Sequence, residues 1–218
     1  MKILNLKEFK KETGVYITQY HTGKMEGMYS LSTSKLLNPL CKQRMKNKET
    51  ICSKCYVSRI FGRFPRVSKT LAQNTKVLTN KVLKEFPYIN KRIFRLEAFG
   101  DLINTTQVIN YFNLCKANKP VIFALWTKNP HLIEETIKLG YRKPKNLVVI
   151  VSSVFVNKRA NLKDYKYKFI DQVFTVYTKD YAKENKININ CGAKSCVMCR
   201  KCYEGSIKYI NELVKWRR

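Results

Sequence analysis

The chain has 218 residues, of which 44% are hydrophobic, and its apolar runs are spread along the whole length. This composition is typical of a globular protein and excludes an intrinsically disordered one. No run approaches the roughly 18 apolar residues that a membrane span needs, and the first residues lack the apolar core of a secretory signal. We therefore expect a cytoplasmic protein with no membrane partner.

The charge balance is strongly basic. Lys and Arg total 43 against 15 acidic residues, which gives a net charge of +28. A composition bias toward Lys does not by itself suppress Asp and Glu, so the shortage of acids needs another reason. A field this positive attracts polyanions. The sequence therefore predicts a nucleic acid, DNA or RNA, as the partner.

The first part of the chain alternates short predicted elements with a long loop. Residues 1–26 are polar and form an N-terminal arm with a short helix, and 27–34 alternate as a strand does. Residues 35–58 form a loop rich in Cys and Lys. A helix is predicted from Ser68, which is suited to cap it.

The middle of the chain repeats strand and helix in turn. Strands are predicted in 91–101, 119–130, 146–155 and 169–178, and helices in 104–118 and 131–140. This alternation is typical of βαβ units around a parallel sheet. The fold class is therefore α/β, with a partial (β/α) barrel or an open parallel sheet.

Three segments follow from this pattern. We expect the arm at 1–26, one α/β core domain at 27–182, and a C-terminal segment at 183–218. The last segment holds a cysteine-rich, metal-binding stretch. Ile207, Ile210 and Leu213 recur at helical spacing after it, which predicts a final helix.

Four cysteines lie within twelve residues of the C-terminal segment. They are Cys191, Cys196, Cys199 and Cys202. Cytoplasmic thiols are reduced, and clustered ones are more often metal ligands than disulfides. One continuous run is closer to ferredoxin spacing than to paired zinc knuckles. We predict a [4Fe–4S] cluster here, with zinc as the alternative metal.

A second group of cysteines lies in the loop after the first core strand. The group has three cysteines, Cys41, Cys52 and Cys55, which is one ligand fewer than a closed tetrahedral site needs. They suit a second [4Fe–4S] cluster that leaves one iron open. Two alternatives stay open: that Cys115 completes the group, or that only Cys52 and Cys55 bind metal. Cys115 falls inside a predicted helix, and we expect it to be buried and inert.

Polar residues follow two predicted strands, where ligands of parallel sheets gather. Glu97, in an apolar strand, is expected either to bind a ligand amine or to pair with Arg95 or Lys128. Asp101 either binds a cofactor or caps the next helix. Lys128 lies at the rim. Histidine-based chemistry is poorly supported, since the chain has only 2 histidines.

Basic and aromatic residues interleave after the cysteine loop. The basic ones are Arg59, Arg63, Arg66 and Lys69. Arginine beside aromatic rings is a pairing that holds phosphates and stacks on bases. The alternative is a solvated basic face with Phe61 and Phe64 in the core. Binding through this surface should be salt-sensitive and little dependent on base sequence.

Three motifs together carry a resemblance to a known family. The motifs "CSKCY", "FRLEAFGDL" and "FALWTKNP" resemble the phage-encoded gene-product-88-like domain family, over about residues 27–202. That family is in turn similar, distantly, to the radical S-adenosylmethionine (SAM) enzymes. The resemblance implies that Cys41, Cys52 and Cys55 hold the open cluster, that "EAFGD" binds the cofactor's amino group, and that the C-terminal four hold an auxiliary cluster. The first cysteine gap is longer than usual in that superfamily.

Two functions follow. The first is an iron–sulfur, radical-SAM-like enzyme that binds or modifies nucleic acid, with Glu97, Asp101 and Lys128 positioning the cofactor. The alternative is a non-enzymatic phage protein that binds nucleic acid and whose iron–sulfur or zinc centre is structural.

Overall fold

The computed structural model describes residues 1–215, which form two parallel sheets and eight α-helices. The strands are β1 (Lys2–Leu4), β2 (Tyr29–Leu31), β3 (Glu85–Pro87), β4 (Ile93–Leu96), β5 (Ile122–Thr127), β6 (Leu147–Ser152), β7 (Gln172–Tyr177) and β8 (Tyr209–Leu213). The helices are α1 (Leu6–Thr13), α2 (Pro39–Lys46), α3 (Val57–Arg63), α4 (Pro65–Asn80), α5 (Thr105–Ala117), α6 (His131–Lys138), α7 (Lys179–Glu184) and α8 (Cys196–Cys199).

The main sheet has six parallel strands in the order β2-β4-β5-β6-β7-β8. Apart from β3, the strands are adjacent in the order in which they occur along the chain. Each new strand is added on the same side, so the carboxyl ends all lie at one edge. The expected α/β fold with a parallel sheet is confirmed.

One face of this sheet carries the larger core. Phe94 and Leu96 of β4, Phe123 and Leu125 of β5, and Leu147 of β6 are at most 1% exposed on this face. Helices α4, α5 and α6 supply the apolar side chains that cover it. Because side chains alternate along a strand, the residues between these point to the opposite face.

The opposite face, called here the inner face, has a smaller apolar cluster. It joins Met28, just before β2, and Tyr203, from the C-terminal segment, with one residue from each of four strands, which are Ile93, Ala124, Ile150 and Ile210. The cysteine-rich segment packs against this cluster. The inner face is thus covered by the chain's own C-terminal segment, and not by helices between strands.

The N-terminal residues are part of the folded core. Strand β1 pairs with β3, and α1 begins at Asn5, whose side chain accepts hydrogen bonds from the backbone N–H groups of Lys7 and Glu8. Phe9 and Val15 are almost fully buried in the larger core. Although this stretch is mostly polar, it therefore contains a short amphipathic helix with one buried side.

The prediction of a final helix was wrong. Residues Tyr209–Leu213 form strand β8, which pairs in parallel with β7 in the register Phe174↔Ile210, and residues 216–218 lie outside the described part. The open edge of β7 offers unpaired backbone groups, and pairing with it outweighs the weak helical spacing. Asn211 is held further by hydrogen bonds with Asn188 and Asn190.

An ion pair links the two edges of the main sheet. Lys24, which precedes β2, contacts Glu212 of β8 with its Nζ 2.8 Å from Oε1. The segment before β2 also meets α8. The two ends of the sheet are therefore close enough to enclose a space between them. Within residues 1–215, no helix has the length and apolar character needed to cross a bilayer.

Candidate functional site

A cavity of about 1070 Å³ lies at the carboxyl edge of the main sheet. Its walls come from the loops after β2, β4 and β5, from the ends of β6 to β8, and from the cysteine-rich segment. Seven of the eight cysteines line it. The eighth, Cys115, is fully buried in α5, as expected. Two groups of thiols far apart in sequence therefore share one cavity.

The N-terminal group of cysteines is fixed to the strand ends. Cys41 lies in the first turn of α2, and its backbone N–H donates to the side chain of Asn38. The amide of Asn38 donates in turn to the carbonyls of Asp101 and Leu102. Cys52 and Cys55 lie in and just after a short 3₁₀ helix. One asparagine thus links the cysteine loop to the segment after β4.

The C-terminal group is built around the short helix α8. Ser195 caps it by accepting a hydrogen bond from the N–H of Met198, and Arg200 ends it with φ 53°, in the left-handed region. Cys191, Cys196 and Cys202 pack against the inner-face cluster. Because of the turn at Arg200, part of the segment faces the cavity and the rest packs on the apolar inner face.

The seven cysteines of the cavity are not placed around a single metal ion. Among residues 1–215, no group of three or more His, Cys, Asp or Glu side chains could hold a metal ion as placed. Burial raises the pKa of the Cys41 thiol to about 12 and that of Cys202 to about 12. Both thiols carry protons near neutral pH, and a metal would have to displace these protons. The predicted clusters stay a prediction.

Glu97 lies on the cavity wall and is 3% exposed. Its Oε1 accepts hydrogen bonds from Gln107, Tyr111 and Thr33, and its Oε2 accepts from the backbone N–H and the hydroxyl of Thr33. Burial raises the pKa of this carboxyl to about 7, against the opposing effect of the Tyr111 hydrogen bond. No described lysine or arginine forms an ion pair with it, so the expected pairing with Arg95 or Lys128 is absent from residues 1–215.

The backbone after β4 is shaped around this carboxylate. The strand ends at Leu96, and Glu97 has φ 55°, so Glu97, Phe99 and Asp101 do not continue the strand as expected. A Cβ on Gly100 would lie 2.5 Å from the carbonyl oxygen of Thr33 and 2.7 Å from Oε2 of Glu97. Only glycine fits at this position.

Asp101 joins the ends of β4 and β5. Its carboxylate accepts from the Thr127 hydroxyl at 2.5 Å and from the Lys128 backbone N–H at 2.9 Å. The next helix, α5, is capped by Asn104, so the capping role considered for Asp101 falls to Asn104. Lys128 lines the cavity, and its carbonyl accepts from Arg44 of α2.

The sequence reasoning missed an arginine on the inner face. Arg95 lies between the buried Phe94 and Leu96, so its side chain points to the cavity, where its Cζ is 3.2 Å from the centre of the Trp126 ring. Its charge lowers the pKa of Cys196 and Cys202 against the larger, opposing effect of burial. An arginine in an otherwise apolar central strand was the available signal.

The predicted basic surface is exposed. Arg59 and Arg63 lie on α3, Arg66 and Lys69 lie on α4, and of the four only Arg59 also lines the cavity. Phe61 is buried, but Phe64 is 51% exposed with Arg63 over its ring. The alternative of two core phenylalanines therefore holds for Phe61 alone. Tyr56, at the cavity wall, is also 51% exposed.

The two histidines have structural contacts. His21 hydrogen-bonds Ser30 and stacks on Phe99, and burial, then the charge of Arg95, lowers its pKa. His131 begins α6 beside Glu134 and the ring of Tyr165. His131 does not line the cavity, and His21 lies at its wall.

Comparison with known proteins gives one result. The family model described as Gene product 88 matches residues 4–214, and the chain belongs to that family. No curated protein and no solved structure matches the chain.

Proposed function

We propose that this member of the Gene product 88 family is an iron–sulfur protein with a radical-SAM-like scaffold that binds or modifies nucleic acid. The observation that carries the proposal is the shared cavity. Seven cysteines from two distant segments line one space at the carboxyl edge of a parallel sheet. Enzymes built on parallel α/β sheets bind their ligands at this edge.

The order of the strands supports the scaffold. Six parallel strands wound in one direction, with helices on one face, are the arrangement of a partial (β/α) barrel. A doubly wound sheet would instead reverse its order at a switch point. The ion pair between Lys24 and Glu212 brings the first and last strands toward each other, as a curved sheet requires.

The N-terminal cysteines are the proposed ligands of a [4Fe–4S] cluster with one open iron. Cys41, Cys52 and Cys55 supply three thiolates, and each iron of such a cube needs one ligand. The ligands of a cube surround an object wider than a single ion, so the thiols would close on it from separated positions. These three residues would hold the cluster, which, once reduced by an external electron donor, would supply the electron for reductive cleavage of S-adenosylmethionine.

Three residues beside this group are suited to position S-adenosylmethionine. Glu97 lines the cavity, and its Oε2, whose contacts with the backbone N–H and the hydroxyl of Thr33 are both 3.2 Å long, is the oxygen proposed to accept from a ligand amine. Asp101 fixes the backbone at Lys128, whose side chain lines the cavity. In this proposal Glu97 binds the cofactor's amino group, and Asp101 and Lys128 position the cofactor from the rim of the cavity.

The C-terminal cysteines are the proposed ligands of an auxiliary cluster, with zinc as the alternative. Cys191, Cys196 and Cys202 already pack on the inner face. A tetrathiolate centre carries net negative charge, and Lys24 and Arg95 lie near these thiols. The reduced thiols that either centre needs fit a cytoplasmic location.

Nucleic acid is the proposed substrate or partner because of the exposed basic surface. Arg59 and Arg63 stand beside the exposed rings of Tyr56 and Phe64. This surface adjoins the cavity through Tyr56 and Arg59, which line both. The same surface favours the second candidate, a non-enzymatic nucleic-acid-binding protein whose metal centre is structural.

Anaerobic purification with iron and sulfide analysis tests the proposal. We expect about eight irons per chain, and about four after serine replaces either cysteine group. Cys115→Ala is the matched control and should leave the iron content unchanged. Zinc without iron in the wild type would contradict the iron–sulfur assignment. If iron-loaded, reduced protein does not cleave S-adenosylmethionine, the enzyme proposal is contradicted. The second candidate, a non-enzymatic nucleic-acid-binding protein, is then favoured.

A further inference from the structure

Arg95 lies on the inner face, in β4, the second of the six strands. Its neighbours in β4, Phe94 and Leu96, are buried in the larger core, and the alternation of the strand turns Arg95 toward the cavity. Its guanidinium lies over the indole of Trp126, on the adjacent strand, with Cζ 3.2 Å from the ring centre. The edge of the Tyr203 ring meets Trp126 as well. The guanidinium is therefore fixed in orientation.

Stacking leaves the hydrogen-bond donors of Arg95 unused. The indole contacts the face of the guanidinium, whereas the five N–H donors point outward in its plane. Nε of Arg95 is buried and has no hydrogen-bond partner among residues 1–215. Buried donors in native proteins nearly always have an acceptor, so an unused one calls for a ligand.

The carboxylates of the cavity are already engaged elsewhere. Glu97 accepts from Thr33, Gln107 and Tyr111. Asp101 accepts from Thr127 and the Lys128 backbone, and Glu212 pairs with two lysines. Within the described residues, no acid forms an ion pair with Arg95.

The cavity as a whole is strongly cationic. Its lining contains three acids, named above, against ten basic side chains, which are Lys24, Lys35, Arg44, Lys54, Arg59, Arg95, Lys128, Arg200, Lys201 and Lys215. Such an excess favours a ligand with more than one negative charge over a single carboxylate.

We propose that Arg95, held flat on Trp126, binds a phosphate group of a nucleotide inside the cavity. The planar fork of arginine donates two parallel hydrogen bonds to two phosphate oxygens, which a lysine does not reproduce. The identity of the phosphate as that of a nucleotide rests on the proposed function, but the site itself is made by β4 and β5 and needs no metal. The source is either a free nucleotide or a nucleic-acid strand.

Titration calorimetry on the purified full chain tests this site. The probes are thymidine monophosphate, thymidine, and a short single-stranded DNA. We expect Arg95→Gln to weaken binding of thymidine monophosphate at least about tenfold, and Arg95→Lys to weaken it several-fold. Arg92→Gln, an exposed arginine just before β4, is the matched control and should bind as the wild type does. Arg95→Lys keeps the charge, so its affinity for thymidine monophosphate tests the site even if Arg95→Gln does not fold.

Two results would overturn the inference. One is unchanged affinity of both Arg95 variants for thymidine monophosphate and for the strand. The other is thymidine binding as tightly as its monophosphate. An effect of Arg95→Gln on the strand alone would assign the site to nucleic acid, and an effect on the mononucleotide alone would assign it to a free nucleotide. Strand binding that depends on Arg63 but not on Arg95, together with mononucleotide binding that neither Arg95 variant changes, would leave the proposed function intact and remove this site.

Discussion

The two cysteine groups share a cavity but differ in what surrounds them. The N-terminal group is carried by α2 and a 3₁₀ helix, and it faces the polar strand ends at Glu97 and Asp101. The C-terminal group packs its sulfurs on the apolar inner face, against Tyr203 and its neighbours. The N-terminal group thus lies beside two carboxylates, whereas the C-terminal group packs on hydrocarbon and has the cations Lys24 and Arg95 beside it.

We expect this difference to give the two proposed ligand groups different tasks. A centre that reacts with a bound molecule needs polar groups to hold that molecule, and these lie beside the N-terminal group. A centre that stabilises the fold needs contacts with the core, and these lie beside the C-terminal group. Four predictions test this contrast, and they are ordered by the expected size of the effect.

The largest effect is expected from Cys52→Ser. It removes one of only three proposed ligands, so cleavage of S-adenosylmethionine should fall at least about 1000-fold. The melting temperature should change by less than about 3 °C, because the loop contributes little to the core. Anaerobic product analysis and circular dichroism measure both. A large loss of stability with activity retained would reverse the assignment of the two groups.

The second effect is a pH dependence of the stability, which comes from the titration of Glu97. Its folded pKa is about 7, above its ordinary 4.5, so between these values the folded state holds a proton that the unfolded chain has lost. The free energy of unfolding should therefore fall as pH rises from about 4.5 to 7, by on the order of 3 kcal/mol. Denaturation of the wild type and of Glu97→Gln at several pH values measures it.

The variant removes the titrating group, so its stability curve should be flatter through that window. Glu12→Gln, an exposed acid outside the cavity, is a suitable control and should retain the wild-type slope. Equal slopes in wild type and Glu97→Gln would show that the carboxylate is not the group that titrates.

The third effect is a loss of stability in Cys202→Ser. Removing a ligand next to the inner-face cluster should cost about 2 kcal/mol, or roughly 6 °C in melting temperature for a chain of this size. Activity per intact N-terminal cluster should fall far less than in Cys52→Ser. Thermal denaturation of iron-loaded protein, with Cys115→Ala as control, checks it. An unchanged melting temperature would argue against a stabilising C-terminal centre.

The smallest effect is expected from Lys24→Met. The ion pair with Glu212 is partly exposed, with side-chain exposures of 32% and 19%, so its loss should cost less than about 1 kcal/mol. Lys215→Met removes the other partner of Glu212 and is the matched control. Urea denaturation at low and high salt measures both. A loss of several kcal/mol for Lys24→Met alone would show that the edges of the sheet depend on this contact.

The strands and helices of the core could be predicted because the sequence pattern that marks each element lies within the element itself. Near-continuous apolar runs such as Leu147–Ser152 mark buried parallel strands, and the alternation with helices fixes the fold class. Strand β8 was not predictable, because its structure comes from the open edge of β7. Its own residues fit a helix as well as a strand.

The candidate site was predictable in part. The sequence identified both cysteine groups, and the structure brings them to one cavity, which spacing alone does not determine. The partners of Glu97 are Thr33, Gln107 and Tyr111, which are uncharged and come from two other segments, so a search for opposite charges missed them. Arg95 was considered only as a partner of Glu97, whereas the pleat turns it toward Trp126.

The position of β8 has a consequence for how the protein matures. The three cysteines of the N-terminal group, Glu97 and Asp101 all precede residue 102, and β8 with the C-terminal cysteines follows residue 190. On the ribosome, the first half of the chain emerges while the segment that covers the inner face is still being synthesised. During that time the earlier thiols lack the C-terminal wall of the cavity and are open on a side that the finished protein closes.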